Sequence, residues 1–508
     1  KTKMISAKRA FFHRAILLLL CASMLLAFQT TKNVIATSRA QYQSSNSNAI
    51  TKKTHFFATR AHEGHSVEAE FTIPGNIRMR NHKFRVPLDY GDESNSETIE
   101  LFVREMVREG MDGNKDLPCL VYLQGGPGYP AGRPRGEGGW LARACATHRV
   151  FLLDQRGTGR SQPLEARALA QLRPEVAAAR LKLYRADSIV RDCEAVRAAL
   201  TGGKPWTVLA QSFGGFCLLT YLSFFPEGVA QGLFTGGLAP VTRGIDEVYR
   251  ALAKRQAKRN KLFYERYPHA APLVRRIVRH LAEHPEGGVA LPSGGRLTAR
   301  RFLQLGLGLG RKTGLEDLYY LVEGAFAADG ELTYAFLCAV EAQQSFDTNP
   351  IYALLHEPIY CEGAAPRWSA ERVIQEDGLK EFFDYKERLK TDEPIYFTGE
   401  MVFSWMFDGD YPELAPLKET AELLAADANW GPLYAPDNLR NCSVPCAAAV
   451  YYDDLYVERV FSEEVAELMP NCKVWITNEY QHSGIGDDGH RIVDKLMGMA
   501  GGNMRIPS

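Results

Sequence analysis

Thr207-Val208-Leu209-Ala210-Gln211-Ser212-Phe213-Gly214-Gly215 reads as a buried strand, a tight turn and the first residues of a helix. Thr207 to Ala210 is apolar and β-prone, and Phe216 to Phe225 continues at helical spacing until Pro226. A serine between small residues at such a junction has the pattern of a nucleophile elbow, where a sharp strand-to-helix turn lifts a hydroxyl above a sheet. Small neighbours are required because the backbone there is strained and closely packed. Ala210 stands where the first glycine of the pattern usually falls. A serine in a polar turn is the competing reading, and the rest of the chain has to decide between them.

The bulk numbers set broad limits. The chain has 508 residues, 45% hydrophobic and 24% charged, enough for a large core and a second domain. With 60 basic and 60 acidic residues, the net charge gives no reason to expect nucleic acid or an anionic membrane surface as partner. The ten cysteines form no C-x-x-C pair, and Cys442 and Cys446 have no histidine at zinc-ligand spacing. Free thiols, a reducing compartment and no structural metal are therefore expected. Residues 1–62 are a separate object. Ten lysines and arginines precede the first acid, Glu63, and Ala15 to Phe28 is apolar behind Lys8, Arg9 and Arg14. The run is short for a membrane span and suits a signal h-region. A hydroxyl-rich, acid-free stretch follows, as in a bipartite presequence for an organelle such as a plastid; secretion and a single-pass anchor are the alternatives. The chain opens on Lys1, and Met4 is the expected initiator, with a cytoplasmic protein the alternative if this start is not the natural one.

Ile77 to Tyr90 and Glu97 to Arg108 alternate like the strands of a hairpin. Pro118 to Leu123 is a buried-strand run ending in Gln124-Gly125-Gly126-Pro127-Gly128. Arg149 to Asp154 is the next, ending in Gln155-Arg156-Gly157-Thr158-Gly159-Arg160-Ser161. An amphipathic helix is expected over Asp187 to Leu200, capped by Asp187 or Ser188, then the elbow and a strand over Gly232 to Thr235. Strand, glycine loop, helix, strand predicts an α/β fold with a mostly parallel sheet, whose ligands bind at the carboxyl ends of the strands.

From 241 to 435 the pattern is almost entirely helical, including Asp246 to Tyr267 and Pro272 to His284 with proline at its first position. Such a block between strands reads as a cap over the sheet. The basic face of Lys254, Arg255, Lys258, Arg259 and Lys261 is expected to be a solvated helix face. Leu305 to Thr313 looks like a phosphate loop but has Arg311 where the lysine is required. The sheet resumes with Cys446 to Tyr452, a helix over Phe461 to Met469, a strand over Cys472 to Thr477 and a helix over Gly489 to Ala500. The expected organisation is a targeting segment (1–62), a core in two parts (63–240 and 436–508) and the cap (241–435).

Ser212, then an acid after a strand, then a histidine after the next strand is the chain order of α/β-hydrolase triads. Ser212 is too weak an acid to attack a carbonyl unaided, so His482 must take its proton. A buried carboxylate must fix the imidazole tautomer and stabilise its cation. Asp454 is the expected acid, because Asp453 would continue the strand pleat and point away. His490, on the last helix, reads more simply as a surface residue. The oxyanion needs two donors, expected from the backbone N–H groups of Phe213 and Gly126.

The three glycine-bearing motifs, Tyr451-Tyr452-Asp453-Asp454-Leu455-Tyr456-Val457 and Asn478-Glu479-Tyr480-Gln481-His482 together resemble the proline iminopeptidase family of serine peptidases, over roughly Val67 to Met499. Gln124 departs from it, since many members carry histidine there; a subgroup with a larger cap is similar at this position. The resemblance implies a cofactor-free aminopeptidase acting on peptides with N-terminal proline, whose amino end is held by acids of the cap. Glu357 in Leu355-His356-Glu357-Pro358-Ile359-Tyr360 and Glu400 in Phe397-Thr398-Gly399-Glu400-Met401 match that role, and ordinary salt bridges within the cap are the alternative. Phe403, Trp405 and Phe407 are candidates for a proline pocket, or for plain packing. An esterase or amidase on the same scaffold, and a non-catalytic binding protein of hydrolase fold, are the rival functions.

Overall fold

The apolar runs become the strands of one sheet. The computed structural model describes residues 64–92 and 94–504, so the expected targeting segment lies outside the described residues. In chain order the strands are β1 (Ser66–Ile73), β2 (Ile77–Pro87), β3 (Thr98–Arg108), β4 (Cys119–Leu123), β5 (Arg149–Asp154), β6 (Trp206–Gln211), β7 (Val229–Thr235), β8 (Val289–Ala290), β9 (Arg296–Leu297), β10 (Cys446–Tyr451) and β11 (Cys472–Thr477). Nine of them form the main sheet in the order β1-β2-β3-β5-β4-β6-β7-β10-β11, and β8 and β9 make a small separate ribbon. β1 to β3 pair antiparallel, as does β3 with β5; every later pairing in the main sheet is parallel.

Burial follows from the layers. Every residue of β10 is buried, as are all but the first of β4 and of β5 and all but the last of β6, because helices cover both faces. Helices Gly139–Cys145 and Gly484–Ala500 close one face over Leu120, Tyr122, Leu209, Leu233 and Ala449. Helices Ala186–Thr201 and Phe213–Phe224 pack together on the core, the second buried on all sides from Phe213 to Ser223. A helix that is apolar all round can only be an interior one.

Between Thr235 and Cys446 the chain leaves the sheet. It opens with the helix Ile245–Arg266 and continues through shorter helices, the β8–β9 ribbon and irregular stretches. The basic face of that first helix is not simply solvated. Arg255 pairs with Glu458, Lys258 lies 3.2 Å and Arg255 3.6 Å from Asp453, and Arg259 Nε donates to the Leu309 carbonyl at 3.1 Å. Arg255 and Lys258 thus meet the acids that follow β10.

Several boundaries move. The helix expected from Asp187 spans Ala186–Thr201, with Arg185 at its N-cap and no side-chain cap. The helix expected from Pro272 starts at Ala270, so the proline stands third; this is tolerated because the first four N–H groups of a helix have no intrahelical partner. The last helix begins at Gly484 and is broken at Asp488, φ −148°, which hid its first turn from the periodicity. β1 was not expected, although Val67, Ala69, Phe71 and Ile73 alternate with polar residues along it; nearly all of its residues are exposed. Among the described residues, no helix is long and apolar enough to cross a membrane, and nine cysteines are free thiols.

Candidate active site

Ser212 sits between β6 and the helix Phe213–Phe224 at φ 54°, ψ −125°, a conformation that costs a non-glycine residue about 1–3 kcal/mol. The surroundings hold it there. The Ser212 N–H donates to the Thr235 carbonyl at 3.0 Å, and the Gly215 N–H to the Ser212 carbonyl at 2.7 Å. A methyl group on Gly214 would collide with the Leu123 carbonyl, and one on Gly215 with Gly237. The two glycines after the serine are thus a packing requirement, which lets the helix press onto the ends of β4 and β7.

His482 and Asp454 meet at the carboxyl edge of the sheet, beyond β11 and β10. His482 Nδ1 lies 2.8 Å from Asp454 Oδ2 and 3.0 Å from Oδ1. Asp454 Oδ1 also accepts the N–H groups of Tyr456 (2.8 Å) and Val457 (3.1 Å), so the turn after β10 holds the carboxylate in place. Asp454 is 1% exposed and His482 7%. Burial works against a charge on His482, yet the Asp454 carboxylate, with help from Glu400, outweighs it and raises the imidazole above its ordinary range. Asp453 faces outward to the cap cations, and His490 is exposed.

The glycine loop after β4 is braced from beneath. Gln155 Nε2 donates to the Gln124 carbonyl at 2.9 Å, and the Tyr122 hydroxyl to Gln124 Oε1 at 3.1 Å, which occupies the side chain that departs from the family pattern. Gly126 adopts φ 139°, open to glycine and strained for other residues. Phe213, first in its helix, carries an N–H that no intrahelical carbonyl can reach.

The motif from Asp154 to Ser161 proves to be a brace of the same kind. Arg156 is fully buried, forks onto Asp192 at 2.6 and 2.7 Å, and donates to the carbonyls of Pro87, Leu88 and Leu183. Removing one partner of such a pair costs about 3–5 kcal/mol, because it strands the other charge. Asp154 receives Arg133 and the N–H groups of Ala131 and Arg160.

The two cap glutamates are placed differently. Glu400 Oε1 accepts the Tyr352 hydroxyl at 3.0 Å and lies 3.7 Å from His356 Nε2. Burial would raise its pKa, but His356, His482 and Tyr352 together hold it below the ordinary carboxylate value. Its charge reaches the hydroxyls of Tyr129, Tyr360 and Tyr456, and the Tyr456 ring meets His482 edge-on with centroids 4.7 Å apart. Glu357, 3% exposed, instead turns to the short helix Ser369–Val373 and accepts the Ala370 N–H at 2.9 Å; burial pushes it up to about 7. His356 and the four tyrosines were not singled out in the sequence. The signals were that His356 and Tyr360 share the stretch that carries Glu357 and that Tyr456 lies in the motif that carries Asp454. Phe403 and Trp405 line a different cleft, of about 830 Å³ within the cap, with Arg300, Glu371 and Tyr385, while Phe407 is buried.

Residues 118–306 match the model of the alpha/beta hydrolase fold. The chain is 49% identical over 421 residues to a proline iminopeptidase of Aeromonas sobria, across 83% of this chain and 96% of the relative. It is 36% identical over 439 residues to one of Aspergillus aculeatus, across 84% and 94%. Among solved structures, a proline iminopeptidase of Mycobacterium smegmatis overlaps 83% of this chain and 100% of its own, at 13% identity and a TM-score of 0.39. Sheet order, strained serine and family match define an α/β hydrolase. Within that class, the chain belongs to the proline iminopeptidase family.

Proposed function

We propose that this chain is a serine-type prolyl aminopeptidase, releasing N-terminal proline from peptides. The observation that carries this reading is an anionic Glu400 in electrostatic reach of a His482–Asp454 pair, in a chain 49% identical to a proline iminopeptidase. Ser212 Oγ attacks the prolyl carbonyl as His482 Nε2 takes its proton. Asp454 holds the Nδ1–H and stabilises the imidazolium. The N–H groups of Gly126 and Phe213 receive the oxyanion. His482 then hands its proton to the leaving amine, and water, deprotonated by the same imidazole, frees proline from the acyl-enzyme.

Glu400 supplies the charge that a substrate ammonium needs in an enclosed site. Glu357, engaged with the Ala370 N–H, holds the His356–Tyr360 turn that faces Glu400. An esterase acting on neutral esters has no need of a second enclosed anion beyond the triad carboxylate Asp454. The test is hydrolysis of proline, alanine and N-acetylproline 4-nitroanilides by the protein and by Ser212→Ala. Cleavage of the free proline compound alone, lost in the variant, is expected. Equal cleavage of the acetylated compound would refute the aminopeptidase reading. Residues 1–62 are proposed as an organelle presequence; a fluorescent fusion of that segment remaining in the cytosol would refute it.

A further inference from the structure

Two unpaired cations stand at the rim of this site. The stretch that superficially resembles a phosphate loop winds as a 3-10 run over Gln304–Gly310, then turns through Arg311, Lys312 and Thr313 into the helix Gly314–Glu323. It reaches the triad directly. Gly310 lies flat against the Tyr456 ring, the Tyr456 hydroxyl donates to the Leu307 carbonyl, and the same ring abuts His482. The Lys312 N–H donates to Ser483 Oγ at 3.2 Å, and Ser483 follows His482 in the chain.

The backbone of this turn is therefore anchored, while its two long side chains are left over. Arg311 and Lys312 are exposed, and neither forms an ion pair among the described residues. Of the acids flanking this turn in the chain and at its contact with Ser483, Asp317 accepts the Thr313 hydroxyl and Asp487 the Ser483 hydroxyl, each at 2.8 Å. Elsewhere on the cap, Arg250, Lys258 and Arg372 pair with carboxylates, whereas Lys254, Lys380 and Lys386 form no ion pair among the described residues; what sets Arg311 and Lys312 apart is their place beside Tyr456 and Ser483. The Arg311 charge is felt at the hydroxyls of Tyr129, on the glycine loop, and Tyr456, beside His482; both also feel Glu400.

The site is thus dipolar, anionic at Glu400 inside and cationic at Arg311 and Lys312 outside. A peptide lying with its ammonium at Glu400 runs outward from the scissile bond at about 3.3–3.6 Å per residue. Its terminal carboxylate stays near the rim only when one or two residues follow the proline. We propose that Arg311 and Lys312 bind the C-terminal carboxylate of the leaving segment, so that the preferred substrates are di- and tripeptides beginning with proline. This rests on the aminopeptidase reading and adds a substrate length and a charge to it.

The test compares kcat/KM for prolyl-glycine, prolyl-glycyl-glycine and prolyl-glycinamide, with the intact protein, R311A/K312A and R311E/K312E. The intact protein is expected to favour the acids over the amide on the order of tenfold, less in added salt. That ratio falls to about one in the alanine pair and inverts in the glutamate pair. Equal turnover of acid and amide by the intact protein would overturn the subsite, as would a preference that survives both double variants. No release of proline from any of the three by the intact protein would overturn the aminopeptidase reading and the subsite with it.

Discussion

The turn bearing Glu357 and the extended segment bearing Glu400 are both cap elements, and both enclose a carboxylate. They differ in what surrounds it. Glu357 meets a backbone N–H, and burial prevails, pushing it up to about 7. Glu400 meets His356, Tyr352 and the field of His482, and these keep it ionised despite its burial. An enclosed carboxylate becomes an anion site only when its partners are cationic or numerous enough to offset desolvation. Residue type and seclusion alone do not distinguish the two.

The sharpest way to break that contrast is Glu400→Gln. With the buried anion gone, kcat/KM for proline 4-nitroanilide should fall on the order of a hundredfold or more, mostly in KM if Glu400 acts in binding. A fall of less than threefold would remove Glu400 from the site. The same variant carries a second signature in its pH profile. His482 acts as base only when neutral, and its pKa is raised, so activity is lost as pH falls through that value. Without the Glu400 charge, the acidic limb of kcat/KM should move to lower pH; an unmoved limb would show that the two groups do not communicate. The sign for stability is the reverse. A raised histidine pKa favours the fold below the unfolded value, and that share is lost as pH rises through the folded one.

Glu357 should respond in stability instead. Glu357→Ala orphans the Ala370 N–H and should cost about 1–3 kcal/mol in chemical denaturation. Glu357→Gln keeps an acceptor and should change kcat/KM by less than about threefold. Glu357 is raised in the folded protein, so the fold is favoured below the ordinary carboxylate range and loses ground as pH climbs through about 7. The Tm of Glu357→Gln relative to the parent should therefore improve between about pH 4.5 and pH 7 and level off above that. The smallest effect belongs to Asp453→Asn, beside the triad acid but facing outward, with kcat/KM unchanged and stability within about 0.5 kcal/mol.

What could be read from the sequence was local. Ser212 stood out because an elbow needs small residues next to the serine, and Asp454 was preferred to Asp453 because a strand alternates its side chains. Strands β4, β5, β6 and β10 were legible as short apolar runs. β1 was passed over, although Val67, Ala69, Phe71 and Ile73 alternate with polar residues as a strand requires. The direction of Glu357 was illegible for another reason. Its partner, Ala370, lies thirteen residues on, in a helix of five residues whose start no sequence signal marks. The expected proline-pocket aromatics Phe403 and Trp405 line the cap cleft, whereas Tyr129, Tyr352, Tyr360 and Tyr456, reached by the Glu400 charge, come from three separate stretches that only the folded chain assembles.

Arg185, at the start of the helix Ala186–Thr201, is 5% exposed. Its guanidinium donates to three carbonyls, of Pro358 (3.0 Å), Cys361 (2.5 Å) and Gly431 (3.3 Å), and stacks over Trp430. All these partners belong to the chain between β7 and β10. The sheet-bearing part of this chain therefore carries a charged residue whose partners all lie in that stretch. Modular exchange, in which a cap is grafted between cores to change specificity, would leave that cation stranded in the interior. The helix Ala186–Thr201 and the chain between β7 and β10 are thus coupled through one side chain, and a chimera that replaced that stretch would need position 185 rewritten along with its seams.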